Sequence, residues 1–191
     1  MISLVAAPGS ITPRMLKLID HCATVIPHDQ WTKLRRIDYD AESSSYVGWL
    51  TNLTAAARGH SPKGLWFGLV NPVRNGSATL DLYGAISTEY DSNGLAWAER
   101  ISRSTRCFLG SRVLAEIYSC AYGAENSLEN DAEYPLGLGF GAMTARSILE
   151  AGRLTAPLDR IAGAAIGFDS GDRLYLGEVS GGRFNARVRA G

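Results

Sequence analysis

The sequence predicts an α+β fold: an antiparallel sheet built from two or more hairpins, with about four helices packed on it. Three observations carry this. Gly64 to Ile86 reads as strand, turn, strand, and Ala164 to Val179 reads the same way. The helical stripes fall in runs between these hairpins and do not alternate with single strands, as a parallel βαβ sheet would require. At 191 residues the chain suits one domain, 1–191, large enough to bury a core without disulfides or metals.

Met1 to Ala7 is a short apolar run, either a strand or a start that packs on the helix behind it. Thr12-Pro13 opens that helix, with Thr as N-cap and Pro in the first position. Met15, Leu18, Ile19, Cys22 and Ile26 then follow helical spacing, and Pro27 closes it. Trp31 to Asp40 is ambiguous, with a strand expected around Leu34 to Tyr39. The loop Ala41 to Ser45 offers several caps to a second helix, Ser45 to Arg58, buried through Val47, Leu50, Leu53 and Ala57 and stopped by Gly59.

In the first hairpin Leu65, Phe67 and Leu69 alternate with Trp66, Gly68 and Val70. Both sets are apolar or small, so this strand is covered on both faces. Asn71 to Ser77 is dense in turn formers. Beyond it Leu80, Leu82 and Ile86 face one way and Thr79, Asp81 and Tyr83 the other, the pattern of a half-buried strand. A buried helix is the competing reading, and Gly64, Gly68, Pro72, Gly76 and Gly84 weigh against it.

Ser87 to Gly110 is the least regular part and holds Tyr90, Asp91, Trp97 and the basic run Arg100, Arg103 and Arg106. One helical turn is expected near Leu95 to Arg100. So long a loop in a compact domain is often where function sits. Ser111 caps a third helix to Tyr122, with Val113, Leu114, Ile117, Tyr118 and Ala121 as its stripe. Ala124 to Glu133 reads as an acidic loop and Leu138 to Ala151 as the fourth helix. Asp169-Ser170-Gly171-Asp172 turns the second hairpin, and Gly181-Gly182 leads into a last strand, Arg183 to Arg189.

The formal net charge is zero, which leaves no general basic footprint for nucleic acid. Arg183, Arg187 and Arg189 read as a solvated edge strand. Cys22, Cys107 and Cys120 are odd in number and widely spaced, the usage of free thiols in a reducing compartment. No basic-then-apolar leader opens the chain, and no apolar run approaches the roughly 20 residues of a membrane span. A cytoplasmic protein is expected.

The candidate chemistry is thin. Gly137-Leu138-Gly139-Phe140-Gly141 looks like a phosphate loop, but no strand precedes it and the spacing is wrong, so close packing of a helix start is preferred. Glu89, Asp91, Asn93 and Gly94 match part of a calcium loop, but the position of the bidentate carboxylate holds Arg100. His21, His28 and His60 show no metal-ligand spacing, and no Gly-x-Ser-x-Gly elbow is present. Cys107 is the best nucleophile candidate, because neighbouring arginines could lower its pKa, though a buried or incidental thiol is the preferred reading. Asp169 and Asp172 could pair as carboxylates, though Asp at a hairpin tip more often forms the turn.

Three pieces, in this order, resemble a family. They are Gly64-Leu65-Trp66-Phe67-Gly68-Leu69; Asp81-Leu82-Tyr83 leading to Tyr90-Asp91 and Trp97-Ala98; and Gly167-Phe168-Asp169-Ser170-Gly171-Asp172. Together they look like small uncharacterised bacterial proteins among the immunity proteins of toxin effector systems. The resemblance covers the central and C-terminal parts and rests on turns and aromatic positions. It implies a cytoplasmic protein that binds a cognate toxin directly and neutralises it, and it implies no catalytic residue.

On that reading Tyr90, Asp91, Trp97, Asp169 and Asp172 are the partner-binding residues, with Trp97 as an exposed aromatic anchor. No catalytic, metal-binding or cofactor-binding residue is assigned, and no cofactor is expected. Two other readings stay open. One is a small enzyme using Cys107 or the Asp169/Asp172 pair; the other is a structural homo-oligomer joined through a sheet edge.

Overall fold

The computed structural model describes all residues except 43–45, 124 and 170. The chain runs α1 (Ile2–Ala6), α2 (Ile11–Val25), α3 (Trp31–Leu34), α4 (Val47–Ala56), β1 (Gly64–Val70), β2 (Val73–Arg74), β3 (Ser77–Ala78), β4 (Asp81–Ser87), β5 (Cys107–Phe108), α5 (Arg112–Tyr122), α6 (Asn130–Glu150), β6 (Gly163–Phe168), β7 (Arg173–Ser180) and β8 (Arg183–Ala190). Short 3-10 turns lie at Ala96–Glu99, Arg103–Thr105 and Leu158–Arg160.

Both predicted hairpins form. β1 and β4 pair antiparallel with Phe67 opposite Gly84, and β6 and β7 pair antiparallel with Ile166 opposite Leu174. The last strand, β8, pairs antiparallel with β7. The sheet is nevertheless mixed. Its order is β5-β4-β1-β6-β7-β8, and β1 and β6 run parallel at its centre, with Phe67 opposite Ile166. A tight turn fixes the direction of a hairpin partner, but α5 and α6 separate the two hairpins, and a crossover of that length permits parallel pairing.

One face of the sheet carries Leu65, Phe67, Leu69, Leu82, Ile166 and Leu176 into the main core, against Met15, Leu18, Leu114, Ile117, Phe140 and Met143 of the helices. The other face presents Trp66, Tyr83, Ala85, Ala165 and Tyr175 to a second cluster with Leu95, Trp97 and Ala98. This corrects the half-buried reading of β4: all seven of its residues are buried. The irregular segment after β4 supplies the cover that the alternating pattern does not announce.

Six α-helices form among the described residues, where about four were expected. Met1 to Ala7 holds α1, too short for a helical stripe to show, and the strand expected near Leu34 is replaced by α3. The start expected at Ser45 for α4 lies outside the described residues. The largest correction is α6, which begins at Asn130, inside the expected acidic loop, and runs through Pro135 and three glycines. Pro and Gly cost a helix interior about 3 and 1 kcal/mol respectively, so propensity alone forbids this reading. Tertiary packing overrides it. A Cβ at Gly137 would meet Leu80, one at Gly139 would meet Leu18, and one at Gly141 would meet Ile166 and Leu69. The glycines let α6 approach the sheet and α2 closely, which is the close-packing alternative to a phosphate loop, moved to mid-helix.

Helix ends are satisfied from a distance. Asp40 accepts from the Ser10 hydroxyl, from the N–H of Ile11 at 2.7 Å and from that of Thr12 at 3.0 Å, and α2 so begins with Ser10 at its N-cap, two residues earlier than a Thr12 cap would place it. Buried Glu42 does the same for α5, accepting from the N–H of Arg112 at 2.6 Å, that of Val113 at 3.2 Å and the Ser111 hydroxyl at 2.9 Å. At the C-terminal end of α1, Arg14 and Arg146, both buried, donate to carbonyls in and just after its last turn: Arg14 to Ala7 and Gly9, Arg146 to Val5 and Ala7.

Candidate functional site

Residues 88–106 are folded down onto the second face of the sheet. Trp97 is buried beneath this segment, 3 % exposed, with its ring 5.5 Å from that of Tyr90. The Tyr90 hydroxyl bonds that of Tyr175 at 2.9 Å, and the Arg189 guanidinium stacks on the Tyr175 ring while donating to the Ser92 carbonyl. Ion pairs add to the hold: Arg100 with Glu89 at 2.7 Å, and Arg173 with Glu99 at 2.7 Å. Glu89 and Arg100 were the first and last positions of the partial calcium-loop pattern, and they satisfy each other.

Where this segment meets the tip of the β6–β7 hairpin it leaves a cleft of about 250 Å³, lined by Trp66, Glu99, Arg103, Arg106, Asp169 and Arg173 among others. The Arg106 guanidinium lies 4.5 Å from the centroid of the Tyr83 ring and reaches Asp169 Oδ2 at 3.4 Å. The Tyr83 hydroxyl donates to Asp169 Oδ1 at 2.6 Å. Burial, and then the Asp169 carboxylate, push the Tyr83 phenol well above its usual range, so it stays a neutral donor. Gly68 faces this ring, and a Cβ there would overlap it.

The structure thus brings Asp169 together with Arg103 and Arg106 of the basic run. The other residues expected to bind a partner are placed differently. Asp172 is exposed at the hairpin tip, its N–H donating to the Tyr134 hydroxyl at 3.3 Å. Ser170, between the two aspartates, lies outside the described residues. Asp91 is exposed and accepts from the Asn93 N–H at 2.9 Å, forming an Asx turn. Tyr90 is half-buried. Trp97 is a packing residue of the second core and not the exposed anchor expected from its irregular surroundings. Trp66, Arg103, Arg106 and Arg173 had not been singled out as site residues. The basic spacing 100-103-106 was the available signal, while Trp66 and Arg173 join it only through the tertiary fold.

Cys107 sits half-buried on β5, and burial raises its thiol above the ordinary range. The arginines beside it in sequence do not lower it, which favours the buried thiol over the activated nucleophile. Cys22 and Cys120 are also free and also raised by burial. Among the described residues no group of three or more His, Cys, Asp or Glu side chains is placed to hold a metal ion. No helix among them is long and apolar enough to cross a membrane.

Chemically, the cleft offers guanidinium donors around a held phenol and carboxylate, an arrangement suited to recognising an anionic group. Comparison with known proteins finds no matching family model, no matching curated relative and no matching solved structure.

Proposed function

We propose that this chain is a binding protein of the immunity type, which neutralises a cognate bacterial toxin by direct contact through the face around the arginine-lined cleft. One observation carries the reading: the irregular segment and the β6–β7 tip, far apart in sequence, converge on a single polar cleft with Arg103, Arg106, Asp169 and Arg173 at its walls. Arginine is enriched at the energetic centres of protein interfaces, and here the guanidiniums stand on a face stiffened by buried aromatics.

The enzyme alternative has less support. Cys107 lacks the lowered pKa of a reactive thiol, and Asp169 is engaged by Tyr83 and Arg106. Assembly through a sheet edge is opposed by charge, since β8 carries exposed Arg183, Arg187 and Arg189. The test is co-expression with the product of the neighbouring gene. A complex of fixed stoichiometry with loss of that product's toxicity supports the reading, and the chain eluting alone with toxicity intact refutes it.

A further inference from the structure

We infer that the cleft takes a carboxylate, the side chain of an Asp or Glu on the protein partner, with Arg103 and Arg106 as its donors. This rests on the binding reading above and names what the partner must present. Arg103 is exposed, and its side chain has no ion-pair or hydrogen-bond partner among the described residues. Arg106 follows it by three positions, just past a 3-10 turn, and both residues line the cleft.

Arg106 is held but under-used. The Tyr83 ring packs against its guanidinium and Asp169 pairs with it, yet that one ion pair is long, at 3.4 Å, and its Nε, which is buried, has no acceptor. A guanidinium carries five N–H donors in a fork that matches a carboxylate. Arg173, by contrast, spends its charge on Glu99 at 2.7 Å. The binding surface is therefore the pair Arg103 and Arg106.

Charge selects the kind of anion. The lining holds three guanidiniums, Arg103, Arg106 and Arg173, against two carboxylates, Glu99 and Asp169. A single negative charge balances that surplus. A dianionic phosphate would overshoot it and would meet two carboxylates at close range.

The experiment is a titration followed by the arginine Nε–Hε signals in heteronuclear NMR, on the full chain. The probes are N-acetyl-glutamate amide, its uncharged isostere N-acetyl-glutamine amide, and inorganic phosphate, all at constant ionic strength. The expected result is a saturable shift at Arg103 and Arg106 with the glutamate probe alone. Arg103→Gln should weaken that binding about three- to fivefold, in line with a solvent-exposed ion pair. Arg103 is exposed, so the variant keeps the fold, checked by its backbone amide spectrum; Arg58→Gln, outside the cleft lining, is the neutral control.

Equal response to the glutamine probe, tighter binding of phosphate, no saturable shift, or an Arg103→Gln variant that binds as well as the parent would each overturn the inference. The two claims fail separately. A neighbour complex that forms while the glutamate probe is ignored removes the carboxylate and leaves the binding reading. A glutamate probe that binds while no complex forms removes the partner.

Discussion

The Arg106 guanidinium lies 4.5 Å from the centroid of the Tyr83 ring, whose hydroxyl in turn donates to Asp169 at 2.6 Å. Three separate parts of the chain are tied in this contact: β4, the residue before β5 and the residue after β6. Asp169→Asn keeps an acceptor for Tyr83 but removes the charge that orients Arg106. Stability in urea should fall by about 0.5–1.5 kcal/mol, the scale of an ordinary hydrogen bond, since the amide still accepts from Tyr83 and only the charge is lost. Partner affinity should fall as well, because Arg106 is no longer held. Unchanged affinity with reduced stability would separate Asp169 from the site.

Gly68 sits where any side chain would collide with the Tyr83 ring. Gly68→Ala should cost about 1–3 kcal/mol in equilibrium unfolding, the usual penalty for overpacking. Combined with Tyr83→Ala the two effects should be strongly non-additive, since the second change removes the obstacle the first meets. Additive losses would mean that the Tyr83 ring moves aside readily.

Trp97 is 3 % exposed and packs between the irregular segment and the sheet. Trp97→Ala should destabilise by about 3–5 kcal/mol, as other large-to-small core changes do. Chemical denaturation reads this directly. A change below about 1 kcal/mol, the scale of surface substitutions, would return Trp97 to the surface role the sequence suggested.

Acid sensitivity should trace partly to Asp40. Burial works against its charge, but the hydrogen bonds from Ser10, Ile11 and Thr12 prevail and hold its carboxyl at about 2. A carboxyl depressed in the folded state stabilises above its unfolded value near 4, and that contribution is lost as pH falls towards about 2. Asp40→Asn should therefore cost about 0.5–2 kcal/mol at pH 7, as a lost cap does. The gap to the parent should close as pH drops from about 4 to about 2. A gap independent of pH would show that the cap works without charge. On the alkaline side Tyr39 and Tyr83 are both pushed up, first by burial. A phenol raised in the folded state stabilises fully below its unfolded value near 10, and that stability is lost as pH rises beyond it.

Much of the sheet was legible in the sequence because strands announce themselves locally. Alternating apolar residues and the Asn75-Gly76 and Asp169–Asp172 turns mark both hairpins. What stayed hidden depends on neighbours. The parallel β1–β6 pairing leaves no local trace, and α6 contradicts its own propensities because Gly137, Gly139 and Gly141 answer to Leu80, Leu18 and Ile166. The site was half visible. Arg100, Arg103 and Arg106 formed an evident basic run and Asp169 an evident turn, but their meeting is tertiary. Trp97 misled because an aromatic in an aperiodic segment gives no sign of which way it points.

On the function proposed above, the arginine-lined face is a protein-binding site. Its most direct test is the affinity of the neighbouring gene's product for the parent chain and for Arg103→Glu, measured by titration calorimetry. The parent should give a complex of fixed stoichiometry and the variant at least about tenfold weaker binding, the effect of setting a like charge against the partner's carboxylate. No complex with the parent, or equal affinity for both, would contradict it.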